Sequence, residues 1–315
     1  MPRSVVISAA VSTTVTLRMP RLLPALLCLL AAFMAPAVPA FELPPWQQLV
    51  FEQRNFWATA RGELNLKKGV APLFPESGTE PFVRLEIQNT VGSSIESIVV
   101  DLAPADAASL ARWRLSRGRD QRLKTHRYLG DSILRERREP ADGSAASDGR
   151  TALSAGDGGW VSSGVTRIDL PAAAEGRTII TPHALFLLLP GLLDDPGRAG
   201  DYLVHTDLNF YRLVASPGGN ETIEADFRLD EGRVEGRRGT RVLKLRAEPL
   251  AGNPEGQDFE LMGLSGDMEF LVDGTTGLPL RIRGEAPRIG GAELNLVEAH
   301  SRPAPAKAAP AATTP

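Results

Sequence analysis

The feature that most constrains this chain is a two-residue alternation of apolar and polar side chains that recurs from about residue 55 onward. In FVRLEIQNTV, Val83, Leu85 and Ile87 oppose Arg84, Glu86 and Gln88. In ETIEADFRLD, Ile223, Ala225, Phe227 and Leu229 oppose Thr222, Glu224, Asp226 and Arg228. DYLVHTDLNFYRL and LPLRIRG repeat the pattern. Side chains of a strand point alternately to its two faces, so such segments lay one face on a core and the other in water. Antiparallel sheets have this signature, whereas parallel sheets covered on both sides give unbroken apolar runs. The expected class is therefore mainly β and antiparallel.

Expected strands cover 54–66, 81–91, 94–102, 110–117, 122–138 (broken near Gly130-Asp131), 159–169, 201–214, 221–230, 239–248, 267–273, 278–284 and 292–299. SPGGN at 216–220, DEGRVEGRRG at 230–239 and DGTTG at 273–277 read as turns between them, which predicts sequential hairpins. No repeat of constant period is present. Two segments depart from the pattern. TPHALFLLLPGLLDDPG, with Thr181 as N-cap and Pro182 in the first turn, predicts a short buried helix that Pro190 stops; a buried strand is the alternative. A second short helix is expected over Pro104–Arg112. Residues 139–158, small and polar, read as a mobile loop, and the Pro/Ala-rich 302–315 as a disordered tail.

The N-terminus indicates export. Met19-Pro20-Arg21 is followed by an apolar stretch from Leu22 to Phe33, then Pro36 and small residues Val38 and Ala40. This reads as a signal peptide over 1–40, cut before Phe41, with 1–18 an upstream start. The apolar run is short of the roughly 20 residues a spanning helix needs. Cys28 is the only cysteine and follows Leu27, where a lipid-attachment signal would carry a smaller residue. The mature chain, 41–301 as one β domain plus the tail, then has no thiol for disulfides, nucleophilic catalysis or metal binding. The expected location is the periplasm. Losing Arg3, Arg18 and Arg21 and no acid shifts the net charge from −3 to −6.

Against that acidic background, Arg112–Arg138 holds ten Lys/Arg and only Asp120, Asp131 and Glu136, a local charge of +7. Nucleic-acid binding calls for interleaved aromatic platforms, and only Trp113 and Tyr128 are present, in an exported chain. The two readings that stand are a wet sheet face neutralised by acids of neighbouring strands, and a docking patch for an anionic surface or acidic protein built on Arg112, Arg114, Arg135, Arg137 and Arg138.

Few residues suggest catalysis. His205 and Asp207, two apart on an expected strand, share a face and fit an exposed imidazole–carboxylate pair or two metal ligands, but no third ligand is identifiable. His183 at a helix start reads as a capping histidine, with a tuned base as the alternative. GLSGD at 263–267 places its second glycine one position early for a nucleophile elbow, and GRVEGRRG lacks the Gly-Lys-Ser/Thr of a phosphate loop. Neither a cofactor nor a metal is expected.

FLVDGTTGLPLRIRG, from Phe270 to Gly284, combines a strand, an Asp-containing turn, Gly-Leu-Pro and a basic strand. It resembles the corresponding hairpin of periplasmic lipoprotein-carrier proteins and of an uncharacterised periplasmic domain family thought to share their fold. The resemblance covers about Trp160–His300. It implies a strongly curved antiparallel sheet, an unclosed half-barrel with one or two short helices in its concavity, the segment 181–189 among them. The Arg-rich stretch is not part of the carrier pattern.

Three functions follow as expectations. The first is a non-enzymatic envelope protein binding an acyl chain or lipoprotein lipid in the concave face, through Trp160, Phe186, Leu189, Tyr202, Val204 and Phe210. The second is a scaffold with a filled core that meets a protein or anionic surface through Arg112–Arg138. The third is a hydrolase using His205 and Asp207.

Overall fold

The computed structural model describes residues 42–54, 59–68, 71–74, 81–117, 121–141, 160–254, 259–286 and 290–302. The expected signal peptide, most of the expected mobile loop and nearly all of the expected tail lie outside these residues. Everything described falls in one compact unit.

Among the described residues, fifteen strands form one curved sheet that does not close into a barrel. They are β1 (Trp46–Arg54), β2 (Thr59–Lys68), β3 (Val83–Val91), β4 (Ser94–Leu102), β5 (Ser109–Arg117), β6 (Arg122–Tyr128), β7 (Ser132–Pro140), β8 (Trp160–Asp169), β9 (Thr178–Ile180), β10 (Tyr202–His205), β11 (Phe210–Leu229), β12 (Gly232–Pro249), β13 (Ser265–Asp273), β14 (Pro279–Ala286) and β15 (Gly290–Ser301). The sheet is two wings joined at β1–β15: β1 to β8 in chain order on one side, β15 back to β9 on the other. Neighbours are antiparallel except β9 and β10. In addition, the far end of β11 runs beside β15 over two residue pairs, Arg228–Glu298 and Leu229–Ala299.

The expected alternation builds the core. Leu64, Leu66, Leu85, Ile87, Ile98, Val100 and Leu102 from one wing meet Leu243, Phe270, Ile282 and Leu294 from the other. Between them lies α1 (Leu185–Asp194), preceded by a 3-10 turn at Pro182–Ala184. Pro190 does not stop this helix but sits inside it. Proline removes one backbone donor there, and the apolar packing of Leu185–Leu189 and Leu192 outweighs that loss. Thr181 takes the N-cap position without a side-chain capping bond. Pro104–Arg112 is not helical: Ala103 and Ala108 bond across a tight turn, with Ala107 at φ 61°, and β5 starts at Ser109.

Further boundaries differ from expectation: DEGRVEGRRG turns only at Asp230 and Glu231, and its remainder from Gly232 on is the start of β12 paired to β11. β1 was not anticipated; two register shifts, at Trp46/Gln48 and Val50/Phe51, break its alternation, and Leu49, Val50 and Phe51 are all buried. SPGGN is no turn but a bulge inside the 20-residue β11, where the register shifts between Pro217 and Gly219. Glycine is required there: a Cβ on Gly218 would stand 2.6 Å from Val242 Cγ1, and Gly219 has φ +84°. Conversely, 201–214 is two strands, since Thr206 donates to the carbonyl of Asn209 and turns the chain.

The hairpin at 270–284 forms as expected. Asp273 Oδ1 accepts from the Thr275 amide at 2.9 Å, and Gly277 takes φ +71° to close the turn. On the outer face of the first wing a small second core gathers Val99, Trp113, Leu115, Leu123 and Trp160. β8 skips a residue against β7 near Ser163, which re-aims its N-terminal end and lets Trp160 join that outer cluster. Among the described residues no helix is long and apolar enough to cross a membrane.

Candidate functional site

β10 is buried on both faces. Tyr202 and Val204 look into the central core, while Leu203 packs with Phe210 and Ile133 in a third cluster. His205 shares the Leu203 face, and its ring lies 4.9 Å from that of Phe210. The β10–β11 turn thereby comes down onto the floor of the first wing, over β5, β6 and β7. There Arg112, His126 and Arg135 stand directly opposite one another on three adjacent strands, with Lys124 two residues along from His126. Like charges in such a cross-strand row repel, and a counter-charge is needed.

Asp207 supplies it. Its carboxylate receives Arg135 in a two-pronged contact, Nε to Oδ1 at 2.8 Å and Nη2 to Oδ2 at 3.0 Å. Lys124 Nζ bonds Oδ2, and His126 Nε2 lies 3.4 Å from Oδ1 and 3.2 Å from the Asp207 carbonyl oxygen. Arg112, only 4% exposed, donates to the carbonyl of Thr206 and stands 3.3 Å from both ring nitrogens of His126. Burial alone would raise the Asp207 carboxyl; hydrogen bonds from His126, Arg135 and Lys124 outweigh it and hold the group far below the usual carboxylate range. Burial, then the Arg112 charge, pushes His126 down to about 3. His205 is held well below its ordinary value by burial and by His126, and its Nδ1 lies 3.1 Å from the Tyr128 hydroxyl, within hydrogen-bond reach. His183, also buried and lowered to about 3, has neither ring nitrogen bonded among the described residues.

Chemically this is a clamp. His205 and Asp207 are neighbours in sequence but not partners, and they are buried rather than an exposed pair, because the turn at 206–209 sends them to different neighbours. The carboxylate is saturated by cations and leaves no free lone pair for proton abstraction. His183 caps nothing, since its ring is enclosed. Among the described residues no group of three or more His, Cys, Asp or Glu is arranged to hold a metal ion.

The five arginines expected as a docking patch do not form one open surface. Arg112 and Arg135 are in the clamp; Arg114 bonds Glu96, Arg137 bonds Glu139 and Arg138 bonds Glu136. Acids of the same or an adjacent strand thus hold Arg114, Arg137 and Arg138, while Asp207 of the β10–β11 turn holds Lys124 and Arg135.

The six expected ligand-binding residues are all buried but do not converge. Phe186, Leu189, Tyr202 and Val204 share the central core; Trp160 belongs to the outer cluster and Phe210 to the third. Phe186 is fully buried, its ring 5.9 Å from those of both Phe51 and Phe270. Open space lies elsewhere. A cavity of about 610 Å³ is lined by residues including Tyr211, Arg246, Ala247, Phe259, Asp267 and Glu285. A second, of about 440 Å³, shares Arg246, Asp267 and Glu285 with it. Sequence reasoning missed this place, because Asn253 and Pro254 at its border read as ordinary loop composition.

Comparison of the chain with family models, with curated proteins and with solved structures finds no match.

Proposed function

We propose that the protein is a non-enzymatic, exported envelope scaffold: a half-barrel with a filled concavity that meets a partner rather than transforming a substrate. The observation that carries this reading is the packing of Phe186 between Phe51 and Phe270 in the space where a half-barrel carrier would hold its ligand. An acyl chain there has to displace α1 from an apolar core, and neither of the two cavities described above is lined by Phe186, Leu189, Tyr202 or Val204. The saturation of Asp207 supports the non-enzymatic part, since this buried carboxylate is spent on holding strands together.

Organic-solvent extraction of the natively purified protein, followed by mass spectrometry, tests the reading. A scaffold yields no stoichiometric lipid. One acyl-bearing molecule per chain, lost on Phe186→Trp substitution, overturns it in favour of a carrier.

A further inference from the structure

The two cavities lie where the sheet comes apart. β12 pairs with β13 only from Thr240–Asp273 to Leu245–Met268. Beyond that point β12 runs on through Arg246–Pro249, still paired to β11 through Tyr211–Val214. β13 begins three residues before Met268, at Ser265, and that residue pairs away from β12, with Glu285 of β14. Two strand ends therefore diverge instead of bonding, and the space between them is the 610 Å³ cavity, which passes into the 440 Å³ cavity on the outer face through the shared Arg246, Asp267 and Glu285. An unpaired strand edge offers main-chain donors and acceptors to any chain that lies along it.

The side chains set the occupant's chemistry. Tyr211 and Phe259, rings 5.7 Å apart, and Ala247 make an apolar wall. At the mouth the basic groups are committed: Arg246 to Glu248, Lys244 to Glu269, and Arg283 to Glu221, Glu269 and Glu293. Asp267 and Glu285 are exposed, and their carboxylates make no hydrogen bond or ion pair among the described residues. The uncommitted charge of the slot is negative.

We propose that the slot between the diverging ends of β12 and β13 binds an extended peptide segment carrying Lys or Arg, paired through its main chain to Arg246–Glu248 and through a basic side chain to Asp267 and Glu285. The proposal rests on the scaffold reading by giving the scaffold its partner's chemistry. Main-chain pairing supplies the affinity and the alternation of apolar and basic side chains supplies the selectivity.

The test uses the full chain and fluorescently labelled, N-acetylated heptapeptides: alternating Val-Lys, alternating Val-Glu, and Val-Lys with alternate backbone nitrogens methylated. Anisotropy should report saturable binding of the Val-Lys peptide, at least tenfold weaker for the Val-Glu and the methylated forms. Asp267→Asn/Glu285→Gln, exposed positions whose exchange leaves the thermal melt unchanged, should weaken the Val-Lys peptide about tenfold. Amide hydrogen exchange over Arg246–Glu248 should slow on binding. Absence of binding at millimolar peptide, equal binding of the methylated form, or equal binding by the double variant overturns the proposal. None of these outcomes bears on whether the concavity holds lipid, so a failed slot leaves the scaffold reading to its own extraction experiment.

Discussion

Asp207 and Arg283 are mirror images. Asp207 is one acid among hydrogen-bond donors, joined to the cations Lys124 and Arg135 and to the neutral ring of His126 under the β10–β11 turn. Arg283 is one cation among acids, joined to Glu221, Glu269 and Glu293 on the outer face of β11, β13 and β15. The first side chain is 12% exposed and the second 27%. Hydrogen bonding to Glu221 first, then to Glu293, raises the Arg283 pKa, as the cations of the clamp lower that of Asp207. The number of partners is the same, so the difference lies in water. The outer hub keeps solvent as an alternative partner, while the clamp has surrendered it. Removing one member of a buried ionic group leaves its companions charged and unsolvated, whereas exposed pairs contribute little because water takes their place.

The largest effect is expected at the clamp. Asp207→Ala should cost about 3–5 kcal/mol of unfolding free energy, the range for a buried pair broken from one side, as read by urea denaturation. A loss under 1 kcal/mol would break the comparison, placing the cluster in effective contact with solvent. The next effect is on pH dependence. His126, His183 and His205 are neutral in the fold, with pKa values lowered, while the unfolded chain protonates them near 6.5. The unfolded state therefore binds more protons below pH 6.5, and stability falls as pH drops from there toward 4. Each histidine contributes about 1.4 kcal/mol per pH unit once fully protonated in the unfolded state. Asp207 acts lower down: its contribution is complete above the ordinary carboxylate value of 3.8 and fades only below it. Urea midpoints across pH 7 to 4.5 check this; a flat profile would mean that the rings are hydrated.

His183→Leu sharpens the point. It removes a ring with two unbonded nitrogens, so the variant should equal or exceed wild-type stability at pH 7 and lose about one histidine's share of the acid slope. The smallest effect is expected at the outer hub, where Arg283→Met should change stability by about 1 kcal/mol or less, and less again in 0.5 M salt.

How far the sequence reaches can be traced along the same contrast. The curved antiparallel sheet was legible wherever one strand face met the core and the other met water, as in β3, β14 and β15. It was illegible where a strand bulged or was buried twice. β1 loses its period to two bulges, and β10, with Tyr202 to His205 all enclosed, has no wet side to alternate with. The clamp was hidden for a second reason. Its acid comes from residue 207 and its cations from 112 to 135, and nothing local marks that they meet. The +7 stretch was visible as charge, but whether its arginines face solvent depended on a turn some 70 residues later. The slot left still less trace, because it consists of pairing that stops.

α1 has a further consequence. It connects β9 to β10, two adjacent strands that run in the same direction, and such strands can be joined only by a segment that crosses from one end to the other. Thr181 alone separates β9 from the turn that starts the helix, and the 3-10 segment Pro196–Asp201 returns the chain to β10. Held so tightly at both ends, the helix has no slack to swing out as a door; moving it means unravelling that margin of the sheet. Any traffic with the interior must go around it.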